Sequence, residues 1–523
     1  MPHPCYPQRS LGAATIVRAL RLCAILLTAA ICLPAQDLKE FEKKVTEFTL
    51  ANGLHFIVAE RHEAPVVSFH TYVNAGSADD PSGETGIAHM FEHMAFKGTE
   101  TIGTRDWPSE KKALDAIEEA YDRLEAERNK GPKADATRIG VLQAQVQMAI
   151  DGAEAYVVPN NYLAIIETNG GAGVNAGTAL DSTEYYYSLP SNRTELWFLM
   201  ESQRFLRPVF RQFYKEREVV LEEHRMRVES DPQGKLIQDL LATAFAAHPY
   251  RNPPGGWPSD IVSLRRADAK EFFDKYYVPA NITMAIVGDV NAADAKRLAE
   301  RYFNPLPARP LPPRLHTEEP PQPGPKTAVV DSPTQPIVAI AYKRPDQYSK
   351  EDPVFDVISL ILSSGRTGLL YKELVQEKKI ALVAQAIPTY PDGRYPNLFA
   401  FFLAPTVGHS VDEDLKALDD LLGRFKARKV DAETLARVKT KARAGVIRRL
   451  DNNAGLAKML ATYYASYGDW RKLFTSIDDL NRVTADDVQR VARQYFVLSS
   501  RTVAYLAPPG PVGTPAGTQG GRP

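Results

Sequence analysis

Two histidines and a glutamate fall within five consecutive residues, His89-Met90-Phe91-Glu92-His93. On an α-helix two imidazoles four positions apart stand one above the other on one face and can grip a single metal ion. A hydrolytic zinc takes three protein ligands and leaves a position for water, and two His plus one carboxylate is an established set. Such an ion lowers the pKa of the water it holds to roughly 7, and a neighbouring carboxylate can then accept the proton. Glu92 suits that role, because it is too close in sequence to both His to reach round as an independent ligand. The competing reading is a chance grouping on a solvated helix face. With only ten His in 523 residues, their placement is informative.

The third ligand must come from another segment. The stretch from Tyr214 to Glu229, YKEREVVLEEHRMRVE, reads as an acid-rich helix on which Glu216 and Glu223, seven positions apart, share a face. Spacing alone neither chooses between them nor separates them from an ordinary charged surface helix. Cysteine cannot serve, since Cys5, Cys23 and Cys32 all lie near the N-terminus, in what reads as a removable leader. The formal net charge of -1, with no basic, aromatic-interleaved run, argues against a nucleic-acid partner.

These groups need a scaffold, and 523 residues imply more than one core. Residues 1–36 carry Arg9, Arg18 and Arg21, then an apolar run from Leu22 to Leu33, the order of a secretory signal peptide. Export, with a periplasmic destination, is the expectation, and anchoring by an uncleaved leader is the alternative. From Val45 the chain alternates as strands: VTEFTL, a turn at Ala51-Asn52-Gly53, LHFIVAE, then PVVSFHTYVNAGSA. Residues 86–96 follow as the short helix that carries both His. Residues 106–157 read as a helical hairpin inserted into the fold, turning at Asn129-Lys130-Gly131-Pro132. A sheet segment from Ala176 to Leu189, a helical stretch from Glu195 to Ser230 and a buried strand from Ile282 to Val290 complete a first unit, residues 37–303.

Residues 304–325 are too rich in Pro for regular structure and form an extended linker. Beyond them the pattern restarts over residues 326–508, with TAVVDS and QPIVAIAYKRP as strands, VFDVISLILSSG and LLYKELVQEK as helical segments and LFAFFLAP as a strand. Residues 509–523, rich in Gly, Pro and Thr, read as a disordered tail. The predicted class is α+β: two homologous units, each an antiparallel-rich sheet with helices on one face, around a chamber.

His89-x-x-Glu92-His93 followed by Glu216 and Glu223 resembles the inverted zinc signature of the pitrilysin and mitochondrial processing peptidase family. AHMFEHMAFKGT, GGAGVNAGTALDSTEYYYSLP from Gly170, EREVVLEE, HPY at His248 to Tyr250 and YYVPANITMAIVGDV from Tyr276 are similar to further landmarks of that family, in the same order. The resemblance implies a zinc endopeptidase with one Zn2+ per chain, held by His89, His93 and Glu223. It makes Glu92 the general base and Glu216 a carboxylate supporting a ligand. Asn175, Ala176 and Thr178 resemble the family's edge strand, on which an extended peptide adds as a further strand. Gly171-x-Gly173-x-x-Ala176 also matches a dinucleotide fingerprint, but β-favouring TEYYYSL stands where a helix should begin.

Two departures stand out. The interval from His93 to Glu223 is longer than the family's usual one, and the hairpin supplies the excess. In the second unit, relatives commonly carry an Arg and, seven residues later, a Tyr that help hold substrate. Here LVQEKKIAL puts Val375 and Leu382 at those positions, and neither side chain donates a hydrogen bond. The resemblance therefore predicts a heterodimer in which a related, zinc-free subunit supplies the Arg and Tyr. A homodimer is the variant, and Arg366 and Tyr371 are nearby substitutes within this chain. The rival from another class is a non-catalytic scaffold or peptide-binding subunit of the same fold.

Overall fold

The computed structural model describes residues 40–508, so the expected leader and tail lie outside the described residues. Among the described residues no helix is long and apolar enough to cross a membrane. In the first half the strands are β1 (Val45–Thr49), β2 (His55–Glu60), β3 (Val66–Val73), β4 (Ala172–Thr178), β5 (Thr183–Pro190) and β6 (Ile282–Gly288), in the order β1-β2-β6-β3-β5-β4. In the second half β7 (Lys326–Asp331), β8 (Val338–Arg344), β9 (Ala381–Tyr390), β10 (Asn397–Pro405) and β11 (Arg501–Ala507) run β7-β11-β8-β10-β9. Each sheet contains one parallel pair, β2 with β6 and β7 with β11, and is otherwise antiparallel. Apart from β1, the two sheets share one topology, as duplication of an α+β unit requires.

The helices that matter for the site are α1 (Ile87–Met94), the hairpin helices α2 (Trp107–Arg128) and α3 (Ala136–Glu154), α4 (Phe213–His224) and α5 (Pro232–Ala244). In the second half, α6 (Asn453–Tyr467) occupies the position that α5 holds in the first. The sheet segment expected from Ala176 to Leu189 is two strands, broken at Ala179–Ser182, and the expected helix from Glu195 to Ser230 is interrupted between Leu206 and Phe213. The first break follows from Asp181-Ser182, whose short polar side chains suit a turn. No helix or strand lies between Phe303 and Lys326. That Pro-rich segment is nonetheless pinned, because Glu319 accepts the backbone N–H groups of Ala246, Ala247 and His248 at 2.8, 3.0 and 3.1 Å.

Side chains alternate across a strand, so a sheet covered on both faces needs apolar residues at successive positions. In β2, Phe56 and Val58 enter the core made with helices of the same half, while Ile57 and Ala59 face the other way. That second face is covered from the opposite half, where Leu456, Ala457, Leu460 and Ala461 of α6, with Trp470, pack on Ile57, Ala59, Ala285 and Val287. The exchange is reciprocal, since Leu236, Leu240, Leu241 and Ala244 of α5 pack on Val330, Ala339, Ala341, Ala504 and Leu506 of the second sheet. Each half thus lends one helix to the other's sheet, in addition to the expected helices on one face. Leu240 and Leu460 are fully buried, at 0% exposure. Leu240→Ala and Leu460→Ala are each expected to cost about 2–5 kcal/mol, read as a lowered denaturation midpoint. Because the helices cross between halves, both should destabilise the two halves together; a midpoint change confined to one half would contradict the exchange.

Candidate metal centre

Local sequence explains where α1 starts and which way it faces. Gly86 precedes it in the left-handed region at φ 94, and a Cβ there would lie 2.7 Å from Gly255 O. Half-buried Asp80 accepts the N–H groups of Gly86 and Ala88 at 2.7 and 3.0 Å, satisfying amides that the first turn leaves open. Ile87, Ala88, Met90, Phe91 and Met94 are buried in the core. The same 3.6-residue period turns His89, Glu92 and His93 toward a cleft of about 590 Å³. The Glu-bearing wall is α4, which begins at Gln212 and continues as a π-helix over Arg225–Glu229.

The structure brings together the residues that the motif separates by 130 positions of chain. His93 Nε2 lies 3.3 Å from His89 Nε2, His89 Nε2 3.8 Å from Glu223 Oε1, and His93 Nε2 3.5 Å from Glu223 Oε2. Donor atoms of the three residues all lie within 4.8 Å of one another. A tetrahedral zinc at its usual ligand distances has ligand–ligand edges of roughly 3.3 Å, so the spacing and chemistry of these donors fit the ion. His93 Nδ1 meets Glu216 Oε1 at 2.9 Å, and Glu216 Oε2 meets Lys97 Nζ at 2.5 Å. That contact to Nδ1 leaves Nε2 free to face the ligand set. His89 Nδ1 is buried without a protein partner.

The electrostatics agree with a cation site. Burial, then repulsion from His93, takes His89 down to about 4. Burial also lowers His93, but the hydrogen bonds to Glu216 and Glu223 outweigh it and carry the ring up to about 9. The His93 hydrogen bond outweighs burial at Glu223 and brings it down to about 2. Carboxylates held ionised around an imidazole favour positive charge at their centre. Glu92 behaves differently. Burial pushes its pKa up against the Thr178 hydrogen bond, so it is a stronger base than an exposed carboxylate.

The three edge-strand residues divide in role. Thr178 Oγ1 donates to Glu92 Oε2 at 2.7 Å, which orients the carboxylate instead of leaving Thr178 free for a ligand. Asn175 and Ala176 lie on β4, which among the described residues pairs with β5 alone, so there its outer edge is open beside the cleft. Gly171, Gly173 and Ala176 fall at or within β4, and another strand follows, which removes the dinucleotide reading. Sequence reasoning missed Lys97 and Arg227. Arg227 Nη2 lies 2.8 Å from Glu223 Oε1 across one helical turn, and its signal was the i, i+4 spacing after Glu223. Among the described residues, those lining the cleft fall between His89 and Arg227, with none from the second half. Val375 packs on the second-half core, Leu382 is 53% exposed, and neither Arg366 nor Tyr371 lines the cleft.

Comparison with known proteins accords with this geometry. The family model described as "Insulinase (Peptidase family M16)" matches residues 56–122 and 146–255, and "Peptidase M16 inactive domain" matches residues 263–442. The chain is 26% identical over 510 residues to the Helicobacter pylori "Zinc protease PqqE", covering 94% of this chain and 99% of that protein. It is 23% identical over 478 residues to the "Mitochondrial-processing peptidase subunit beta" of Lentinula edodes, covering 86% of each. The crystal structure of a protease from Helicobacter pylori superposes with a TM-score of 0.74 at 25% identity, over 89% of this chain and all of the other. With two homologous halves, a His-His-Glu cluster on the matched segment and family models spanning more than half of its residues, this chain belongs to the M16 peptidase family.

Proposed function

We infer that the chain is a zinc-dependent endopeptidase acting on peptides or unfolded segments, and the catalytic subunit of a two-subunit enzyme. The observation that carries this reading is the convergence of His89, His93 and Glu223 within 4.8 Å, with Glu92 on the same helix and an open strand edge alongside. Zinc held by His89, His93 and Glu223 would supply a Lewis acid able to acidify water and polarise a carbonyl. Glu92, held by Thr178, is the group that would accept a proton from the attacking water and return it to the leaving amine. The outer edge of β4 binds substrate by backbone pairing, which favours extended chain and reads side chains weakly. The relatives' printed names, one a zinc protease and one a subunit, support the metal and the assembly. The leader supports export to the periplasm.

A cleft lined by one half only, with Val375 and Leu382 at the expected Arg and Tyr positions, lacks a donor for the developing oxyanion from the second half. Losing one such donor costs about 10²–10³ in rate. The purified chain alone is therefore expected to cleave an unfolded substrate slowly, to stop when a chelator removes zinc and to resume when zinc returns. Adding the related subunit, co-purified from native extract, should raise kcat by ~10²-fold or more. Cleavage at full rate by the monomer would overturn the two-subunit reading; zinc-independent cleavage would overturn the metal.

A further inference from the structure

We propose that Arg211 is a positioning residue of the metal site and that the hairpin α2–α3 braces it; this rests on reading His89, His93 and Glu223 as zinc ligands. Arg211 stands just before α4 and is fully buried. Its Nε donates to Glu110 Oε1 at 2.7 Å and its Nη2 to Glu110 Oε2 at 3.1 Å, a two-pronged grip from α2. The rest of the guanidinium serves the loop that leaves α1. Nη1 donates to Lys97 O at 2.5 Å and Ile102 O at 2.8 Å, and Nη2 to Thr99 O at 2.7 Å. One side chain therefore ties the exit of the His-bearing helix and the start of the Glu-bearing helix to the hairpin. Gly98 and Gly103 make room for it, since a Cβ on either would lie within 2.9 Å of Arg211 Nη1.

Two independent contacts point the same way. Gln212, the next residue, takes φ 58, a left-handed conformation uncommon for a side-chain-bearing residue. Its Nε2 donates to both oxygens of Glu154, at the end of α3, at 3.0 and 2.8 Å. Strain of that kind persists only where the surroundings impose it. Two residues on, Tyr214 stacks on Tyr121 of α2 with ring centroids 3.9 Å apart, and its hydroxyl donates to Glu118 at 3.0 Å. The first turn of α4 is thus fixed by the hairpin, and Glu216 and Glu223 ride on that helix. The bracing residues lie in the matched parts of the chain, while the hairpin tip, residues 123–145, lies outside the family match.

The test uses the full chain, a Glu110→Leu/Arg211→Met double variant and Gln212→Gly. Replacing both members of a buried ion pair by apolar residues of similar size preserves folding in other proteins, whereas removing one strands a charge. The double variant keeps the packing and deletes the donors to Lys97, Thr99 and Ile102. It should fold with the wild-type circular dichroism spectrum, yet bind zinc ~10–100-fold more weakly by chelator competition, the loss typical when support behind ligands is removed. Its Co2+-substituted form should show altered ligand-field bands. Gln212→Gly adopts the same φ without strain and frees Glu154, so it should also weaken zinc binding while remaining folded. Wild-type zinc affinity and Co2+ spectrum in a folded double variant overturn the proposal. Should the double variant not fold, wild-type affinity in Gln212→Gly overturns it. A wild-type chain that binds no zinc overturns the ligand reading instead.

Discussion

Glu92→Gln is expected to leave zinc bound and the fold intact while kcat falls by ~10²–10⁴, the range that a positioned acid–base group contributes. Glutamine is nearly isosteric with glutamate, and its carbonyl oxygen can still accept the Thr178 Oγ1 hydrogen bond that measures 2.7 Å. What it cannot do is accept a proton. Packing is untouched, because Glu92 projects from the cleft face of α1 while Ile87, Met90, Phe91 and Met94 form the buried face. The loss should therefore fall on kcat, with KM nearly unchanged, since backbone pairing along β4 does not involve this carboxylate. Steady-state kinetics on a quenched peptide, with zinc content measured on the same sample, checks both halves of the expectation. Activity within a few-fold of wild type would remove Glu92 as the base.

Much of this was legible before any coordinates. The His-x-x-Glu-His turn announced itself because two scarce residues fell at helical spacing, and central strands such as β2, β6 and β8 showed as apolar runs because both of their faces are covered. That coverage also hid something. A continuous apolar run reveals that a strand is buried but not what covers it, so the exchange of α5 and α6 between halves could not be read from β2 or β8. Helix α5 itself had a start signal in Asp231-Pro232, an N-cap followed by Pro at the first helical position, and Asp231 does accept the Gln233 N–H at 3.0 Å. The hairpin was visible as composition, but its use was not. The Arg211–Glu110 pair spans a sequence separation of 101, beyond the reach of any periodicity.

The role of Thr178 needed geometry for the same reason. As one residue of an edge strand it belonged with Asn175 and Ala176, and only the fold shows that its hydroxyl donates to Glu92. The resemblance transferred a set of positions; the distances divide that set into residues on an open strand edge and a hydroxyl that contacts Glu92. The second half supplies a parallel case, since Val375 packs inward and Leu382 lies on β9, away from the cleft.

Spacing left Glu216 and Glu223 equivalent, and the structure separates them in a way that substitution can measure. Glu223 places its oxygens 3.8 and 3.5 Å from the two Nε2 atoms, spacings that fit a shared metal ion. Glu216 meets His93 on the opposite side of the ring, at Nδ1, and is neutralised by Lys97. Glu223→Ala should thus strip the site to two ligands, abolish stoichiometric zinc and reduce activity by more than ~10³-fold, since a two-His site no longer holds the ion. Glu216→Ala leaves all three ligands in place and only loosens the orientation of His93, so zinc affinity should weaken by ~10–100-fold and activity return when zinc is supplied in excess. Both substitutions truncate a largely buried side chain on the same helix, with Glu216 13% and Glu223 17% exposed, so differences in folding do not account for the contrast. Atomic absorption on the dialysed variants, followed by activity across a zinc titration, gives the order directly. If Glu216→Ala loses the ion irretrievably while Glu223→Ala recovers with added zinc, the two carboxylates exchange roles and the metal centre must be redrawn around residue 216.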